Sequence, residues 1–70
     1  MRLYLRKLRT EKGYTQQEVA NHLGISRRMY GLIETGSRNP SWNVQKRMVK
    51  FFNIPIEQLL DESDEINIKE

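Results

Sequence analysis

Seventy residues with twelve Lys/Arg, nine Asp/Glu and no cysteine describe one small domain. This composition excludes a disulfide framework and a thiolate metal centre, and no apolar run approaches the roughly 20 residues needed to span a bilayer. Charge is uneven: residues 1–60 carry +7 and residues 61–70 carry −4, for a net +3, so a basic body suited to a polyanion precedes an acidic tail expected to be flexible.

The first helix is expected from Arg2 to Lys12. Leu5 and Leu8 lie one turn apart with Met1 and Tyr4 on the same side, and Gly13 supplies the left-handed stop. Charged residues recur too often in the first seven positions for a signal-peptide core, so a cytoplasmic location is expected. The second helix opens at Thr15. Thr15-x-x-Glu18 is a capping box in which hydroxyl and carboxylate satisfy each other's backbone amides. Val19, Ala20 and Leu23 form its buried stripe, Gly24 ends it, and Ile25 plugs the turn.

Ser26 caps the third helix. At about 100° per residue, Tyr30 and Ile33 fall on a core face, while Arg27, Arg28, Gly31, Leu32 and Thr35 fall on the opposite one. Gly36 stops this helix, and the loop Ser37-Arg38-Asn39-Pro40 follows. Ser41 caps a fourth helix, about Trp42 to Phe52, whose stripe Val44, Met48, Val49 and Phe52 is interrupted by Gln45. Trp42, Phe51 and Phe52 are expected in the core or at a dimer contact. A short fifth helix has Pro55 near its first turn and Ile56, Leu59 and Leu60 apolar. No strand is expected, although Ile66-Asn67-Ile68 alternates weakly. The expected fold is therefore all-α, five helices in one domain at 1–60, with the tail at 61–70.

Thr15 to Gly36 is the informative stretch. It comprises two short helices, a glycine turn, and paired arginines at the start of the second. DNA's major groove admits one helix, which must be braced by another whose N-terminus points at phosphate. An inert hairpin has no reason to place arginines on that face. Arginine's fork matches guanine O6 and N7, so Arg27 and Arg28 are the candidate base readers; phosphate contact or plain solvation is the alternative. Leu32 either meets a thymine methyl or is incidental surface. Gly31 either permits close approach or is merely tolerated. Thr15, Gln16, Gln17, Ser26, Thr35, Arg38 and Asn39 complete the candidate DNA-contacting set, mostly toward phosphate.

Arg9 and Glu34 either pair across the first and third helices or are independent surface charges. His22 has no companions for a metal or catalytic role, and no serine has a base partner. Neither enzyme chemistry nor a cofactor, metal or small-molecule ligand is expected.

Together, Leu8-Arg9, Thr15-Gln16-x-Glu18-Val19-Ala20, Leu23-Gly24-Ile25-Ser26, Ile33-Glu34-x-Gly36, Asn39-Pro40-Ser41 and Ile54-x-x-x-x-Leu59-Leu60 resemble the Cro/cI-type, or Xre, helix-turn-helix repressors of phages and bacteria over residues 3–60. The resemblance implies a lambda-repressor-like five-helix domain that binds operator DNA as a homodimer. It further implies phosphate contact by Gln16, base reading by Arg27, Arg28 and Leu32, phosphate contact by Arg38 and Asn39, and an Arg9–Glu34 ion pair. Three positions depart from the family pattern. Leu32 replaces a polar residue, Gln45 a small or apolar one, and Pro55 the usual cap of the fifth helix.

The expected function is a sequence-specific regulator of transcription, a repressor on a palindromic double-stranded operator, with the third helix in the major groove. Phe51, Ile56 and Leu60 are the candidate dimer residues. An antitoxin of the same fold that also binds a partner protein, and an interaction module that binds no DNA, are the alternatives.

Overall fold

Five helices follow one another in the computed structural model: α1 Leu3–Glu11, α2 Gln16–Leu23, α3 Arg27–Thr35, α4 Trp42–Phe52 and α5 Ile56–Leu59. The structure describes residues 1–62, with no strand among them; the expectations for 63–70, including a flexible tail and the weak alternation at 66–68, lie outside the described residues.

Local chemistry sets the helix boundaries. The Thr15 hydroxyl accepts from the Glu18 amide at 3.1 Å while the Glu18 carboxylate accepts from the Thr15 amide at 2.8 Å. Ser26 and Ser41 accept from the amides of Met29 and Val44 at 3.0 and 3.3 Å, and each such cap contributes about 1 kcal/mol. Gly24 and Gly36 end α2 and α3 at φ +73° and +86°, a conformation that side-chain-bearing residues rarely adopt. At Gly24 there is a second constraint. Arg47 of α4 donates through Nη1 to the Leu23 carbonyl at 3.0 Å, and a Cβ on residue 24 would lie 3.3 Å from that nitrogen.

The apolar stripes converge on a single core of Leu5, Val19, Ala20, Leu23, Tyr30, Ile33, Val44, Met48, Phe52 and Leu59. α2 packs on α3 and α4, α1 lies across α3 and α5, and α4 also holds α5. The sheltered face of α3 is thus fixed by α1 and α2, which leaves its first turn outward.

Four details correct or sharpen the sequence-based expectations. α1 starts one residue later, at Leu3; Met1 is exposed and Arg2 is buried in its stead. Trp42 lies on the surface at 69% exposure, its ring 5.6 Å from the Lys46 ammonium, which removes the core and leaves only the dimer contact of the two expected placements. Gln45 interrupts the α4 stripe because its Nε2 donates to the Pro40 carbonyl at 3.1 Å and ties the helix start to the preceding loop. His22 is on the surface as expected, but its ring packs 4.8 Å from Phe51 and 5.9 Å from Tyr14.

Glycines 24 and 31 should respond oppositely to alanine. Gly24→Ala forces a left-handed alanine against Arg47 and should lower stability by about 1–2 kcal/mol. At Gly31, inside α3, a Cβ meets only the Gln16 side chain, at an ordinary 3.6 Å, so Gly31→Ala should raise stability by up to about 1 kcal/mol. Urea midpoints moving in opposite directions are the expected result.

Candidate nucleic-acid interface

The site is organised around Glu34, which the helical repeat places on α3 beside the core and which packing buries to 2% exposure. A lone buried carboxylate would be strongly unfavourable. Glu34 instead accepts from Arg9 Nε at 2.7 Å and Nη2 at 3.2 Å, from the Tyr30 hydroxyl at 2.8 Å and from Gln16 Nε2 at 3.0 Å. The remaining Arg9 arm, Nη1, donates to the Tyr14 carbonyl at 2.9 Å. One carboxylate therefore joins α1, the α1–α2 loop, the first residue of α2, and α3.

Titration behaviour follows from this packing. Burial pushes the Glu34 carboxyl up, but hydrogen bonds from Arg9, Gln16 and Tyr30 and the adjacent guanidinium outweigh it, leaving the group below its ordinary value. The hydrogen bond to Glu34 holds Arg9 above its usual range despite partial desolvation. Tyr30 is raised, first by burial and then by the neighbouring carboxylate.

Gln16 carries the network outward. Because Glu34 only accepts, Nε2 must face inward and Oε1 outward. Oε1 accepts from Arg27 Nη1 at 3.0 Å, and Gly31 leaves open the space beside it. Gln16, Arg27 and Gly31 are thereby brought together, and Gln16 presents an acceptor to the surface. Arg28 is exposed beside them. Leu32 is half-buried, less open than the helical repeat alone suggests.

Several candidate side chains already have local partners. Thr15 and Ser26 accept as helix caps, which leaves each hydroxyl hydrogen available to an outside acceptor. Gln17 donates to Asn21 Oδ1 at 2.8 Å. Thr35 donates to the Leu32 carbonyl and lies 3.1 Å from the Ser37 hydroxyl, so it folds back on its own helix end. Arg38 and Asn39 are exposed on the α3–α4 loop. Of the expected dimer residues, Phe51, Ile56 and Leu60 are all half-buried against the core. Phe51 is further engaged with Tyr14, His22 and Phe52 at centroid distances of 5.2, 4.8 and 4.9 Å. Among the described residues no cluster of His, Cys, Asp or Glu is arranged to hold a metal, and no helix is long and apolar enough to cross a membrane. Sequence reasoning missed Tyr30 as a partner of Glu34; the signal was their spacing of four residues, which places them on one helix face.

Two short helices at a glycine turn, the second with a buried polar brace and an arginine-bearing outer turn, define a helix-turn-helix. The chain belongs to that family, in its Cro/cI (Xre) type: the helix-turn-helix family model matches residues 5–59. Similar proteins include the cryptic phage CTXphi transcriptional repressor RstR of Vibrio cholerae, 36% identical over 66 residues that cover 94% of this chain and 59% of that one. The uncharacterized HTH-type transcriptional regulator YqaF of Bacillus subtilis is 50% identical over 48 residues, 69% of this chain and 63% of the relative. An uncharacterized HTH-type transcriptional regulator of Archaeoglobus fulgidus is 35% identical over 65 residues, 93% of each chain. The chain spans about three fifths of the length of the first two. No solved structure gives a significant match.

The lowered Glu34 carboxyl has a definite sign in pH. Its stabilising contribution is complete above the ordinary glutamate value, about 4.3, and is lost as pH falls through the lower folded value. Glu34→Gln strands a largely buried Arg9, so it should lower stability near neutral pH by about 3 kcal/mol. The variant and the parent should then converge on acidification. Thermal melts of both from neutral pH downward check this; parallel curves would contradict it.

Proposed function

We propose that the protein is a sequence-specific double-stranded-DNA-binding regulator of transcription, a repressor that binds a palindromic operator as a homodimer with α3 in the major groove. The observation that carries this reading is the division of α3. Tyr30, Ile33 and Glu34 are buried along one side, while Arg27 and Arg28 stand exposed in its first turn. Such a helix is rigid at its base and cationic where it would meet base edges. The names of the relatives, a phage repressor among them, agree with the reading.

The residues divide by role. Arg28 is the base reader, free to set its fork against guanine O6 and N7. Arg27, held by Gln16, works at the groove edge, and Leu32 offers its exposed part to a thymine methyl. Thr15, Gln17, Ser26, Arg38 and Asn39 address phosphate, which sets register without reading sequence. The contact between two copies would have to set their α3 helices about 34 Å apart, one turn of B-DNA. Ile56 and Leu60, with Phe51 turned toward α2, are the surface for that contact. Repression is then steric, through occlusion of polymerase.

Selection of bound sites from a random duplex pool tests the whole reading, with a palindrome of one-turn spacing as the expected outcome; recovery of no enriched sequence would refute it. On the selected site, Arg28→Ala should weaken binding about 10- to 100-fold while non-specific affinity changes little. Arg38→Ala should weaken both and lower the slope of log K against log salt by about 1. Equal specific and non-specific losses for Arg28→Ala would assign that side chain to phosphate.

A further inference from the structure

Arg2 lies outside the network just described and outside every motif in the sequence. It is 1% exposed, and arginine is rarely buried without a dedicated set of partners. Its guanidinium has five N–H donors, and each has an acceptor. Nε donates to the Leu60 carbonyl at 3.3 Å. Nη1 donates to the carbonyls of Ile33 and Arg38 at 2.7 and 2.9 Å. Nη2 donates to Asn39 Oδ1 at 2.6 Å and Glu62 Oε2 at 2.9 Å. The acceptors come from the end of α3, the α3–α4 loop, the end of α5 and the segment beyond it. The Arg2 backbone amide also donates to the Glu34 carbonyl at 2.9 Å.

We propose that Arg2 is a positioning residue for DNA binding, which holds the α3–α4 loop with the Asn39 donors and the Arg38 side chain facing outward, and that Glu62 latches it in place. The proposal rests on the reading of Arg38 and Asn39 as phosphate contacts. A phosphate only accepts hydrogen bonds, so an asparagine serves it only when its NH2 points out. A free Asn amide can present either end. Arg2 only donates, so it binds Oδ1 and leaves Nδ2 outward. The same guanidinium draws the Arg38 carbonyl inward, and the Arg38 side chain is exposed.

Glu62 completes the arrangement. Its carboxylate pairs with Arg2 at 2.9 Å while the side chain stays 53% exposed. It rests at the end of α3 against Gly36, where a Cβ would come within 3.3 Å of its Oε1. Glycine at 36 therefore serves both the left-handed turn and the seat of Glu62. Lysine at position 2 would keep the charge but has three donors on one atom and cannot reach acceptors on both sides. Closing the core alone would need only an apolar side chain. A fully hydrogen-bonded guanidinium does what an apolar residue cannot, which is to dictate the orientation of a loop amide.

A double-mutant cycle tests this on a 20-bp duplex of random sequence, about two turns long, since the loop contact is sequence-independent. Arg38→Ala alone should weaken binding about threefold to fivefold and lower the salt slope by about 1. In an Arg2→Lys background the same substitution should have less than half that effect, because Arg38 is no longer held toward the phosphates. Glu62→Gln removes the latch charge without touching the core and should couple to Arg38→Ala with the same sign. It supplies the cycle if Arg2→Lys fails to fold. Every variant is assayed well below its own Tm, so that only folded protein is compared. Strictly additive losses would overturn the positioning role and leave the phosphate contact standing. An Arg38→Ala variant that binds like the parent would overturn the loop reading, and the proposal with it.

Discussion

The buried carboxylate of Glu34 is the constraint on which the rest of the domain depends. Two short helices and a glycine turn would pack in several ways on apolar contacts alone, since oily surfaces slide. Hydrogen bonds from Arg9, Tyr30 and Gln16 do not slide, because each fixes an angle as well as a distance. Burying this ion pair contributes little net stability. What it contributes is one arrangement of α1, α2 and α3, held from the inside. The outer turn of α3 is then stiff without being covered, which is the requirement for a helix that must fit a groove.

The two amides of the candidate interface show how that interior order reaches the surface. Gln16 meets an acceptor, Glu34, and so turns its oxygen outward to Arg27. Asn39 meets a donor, Arg2, and so turns its NH2 outward. The side chains are chemically alike, but the buried charge behind each decides whether it offers an acceptor or a donor. The family resemblance implies phosphate contact for Gln16. In this chain its outward oxygen serves an arginine, and only the second Nε2 hydrogen is left for phosphate.

Legibility from sequence divides along the same physical line. Caps, turns and stripes were readable because their signals are local: Thr15 and Glu18 satisfy each other within one turn, and Tyr30 and Ile33 share a face by helical repeat. The Arg9–Glu34 pair joins residues 25 apart, and spacing alone could not exclude two independent surface charges; the family resemblance named the pair. Arg2 was unreadable. Three of its five acceptors are backbone carbonyls, which every residue carries and no sequence pattern marks, and its partners lie 31 to 60 positions away. Gln45 was visible only as an interruption of a stripe, because its partner is likewise a carbonyl. For Trp42 hydrophobicity alone left core and dimer contact as equal options, and its 69% exposure removes the first. At the first turn of α4 its ring stays on the surface beside Lys46.

Arg27 and Arg28 are adjacent and identical, yet they are not equivalent. Successive helical residues point about 100° apart, and that angle separates their surroundings. Arg27 reaches Gln16, whose oxygen is aimed at it by Glu34, so its guanidinium is already oriented before any ligand arrives. Arg28 is exposed with no such tether. An oriented arginine loses less freedom on binding and enforces one geometry, whereas an untethered one can adapt to the base edge it meets. In the proposed reading the first sets the register of α3 on the duplex and the second discriminates sequence. The difference between them originates in a carboxylate that no ligand can touch.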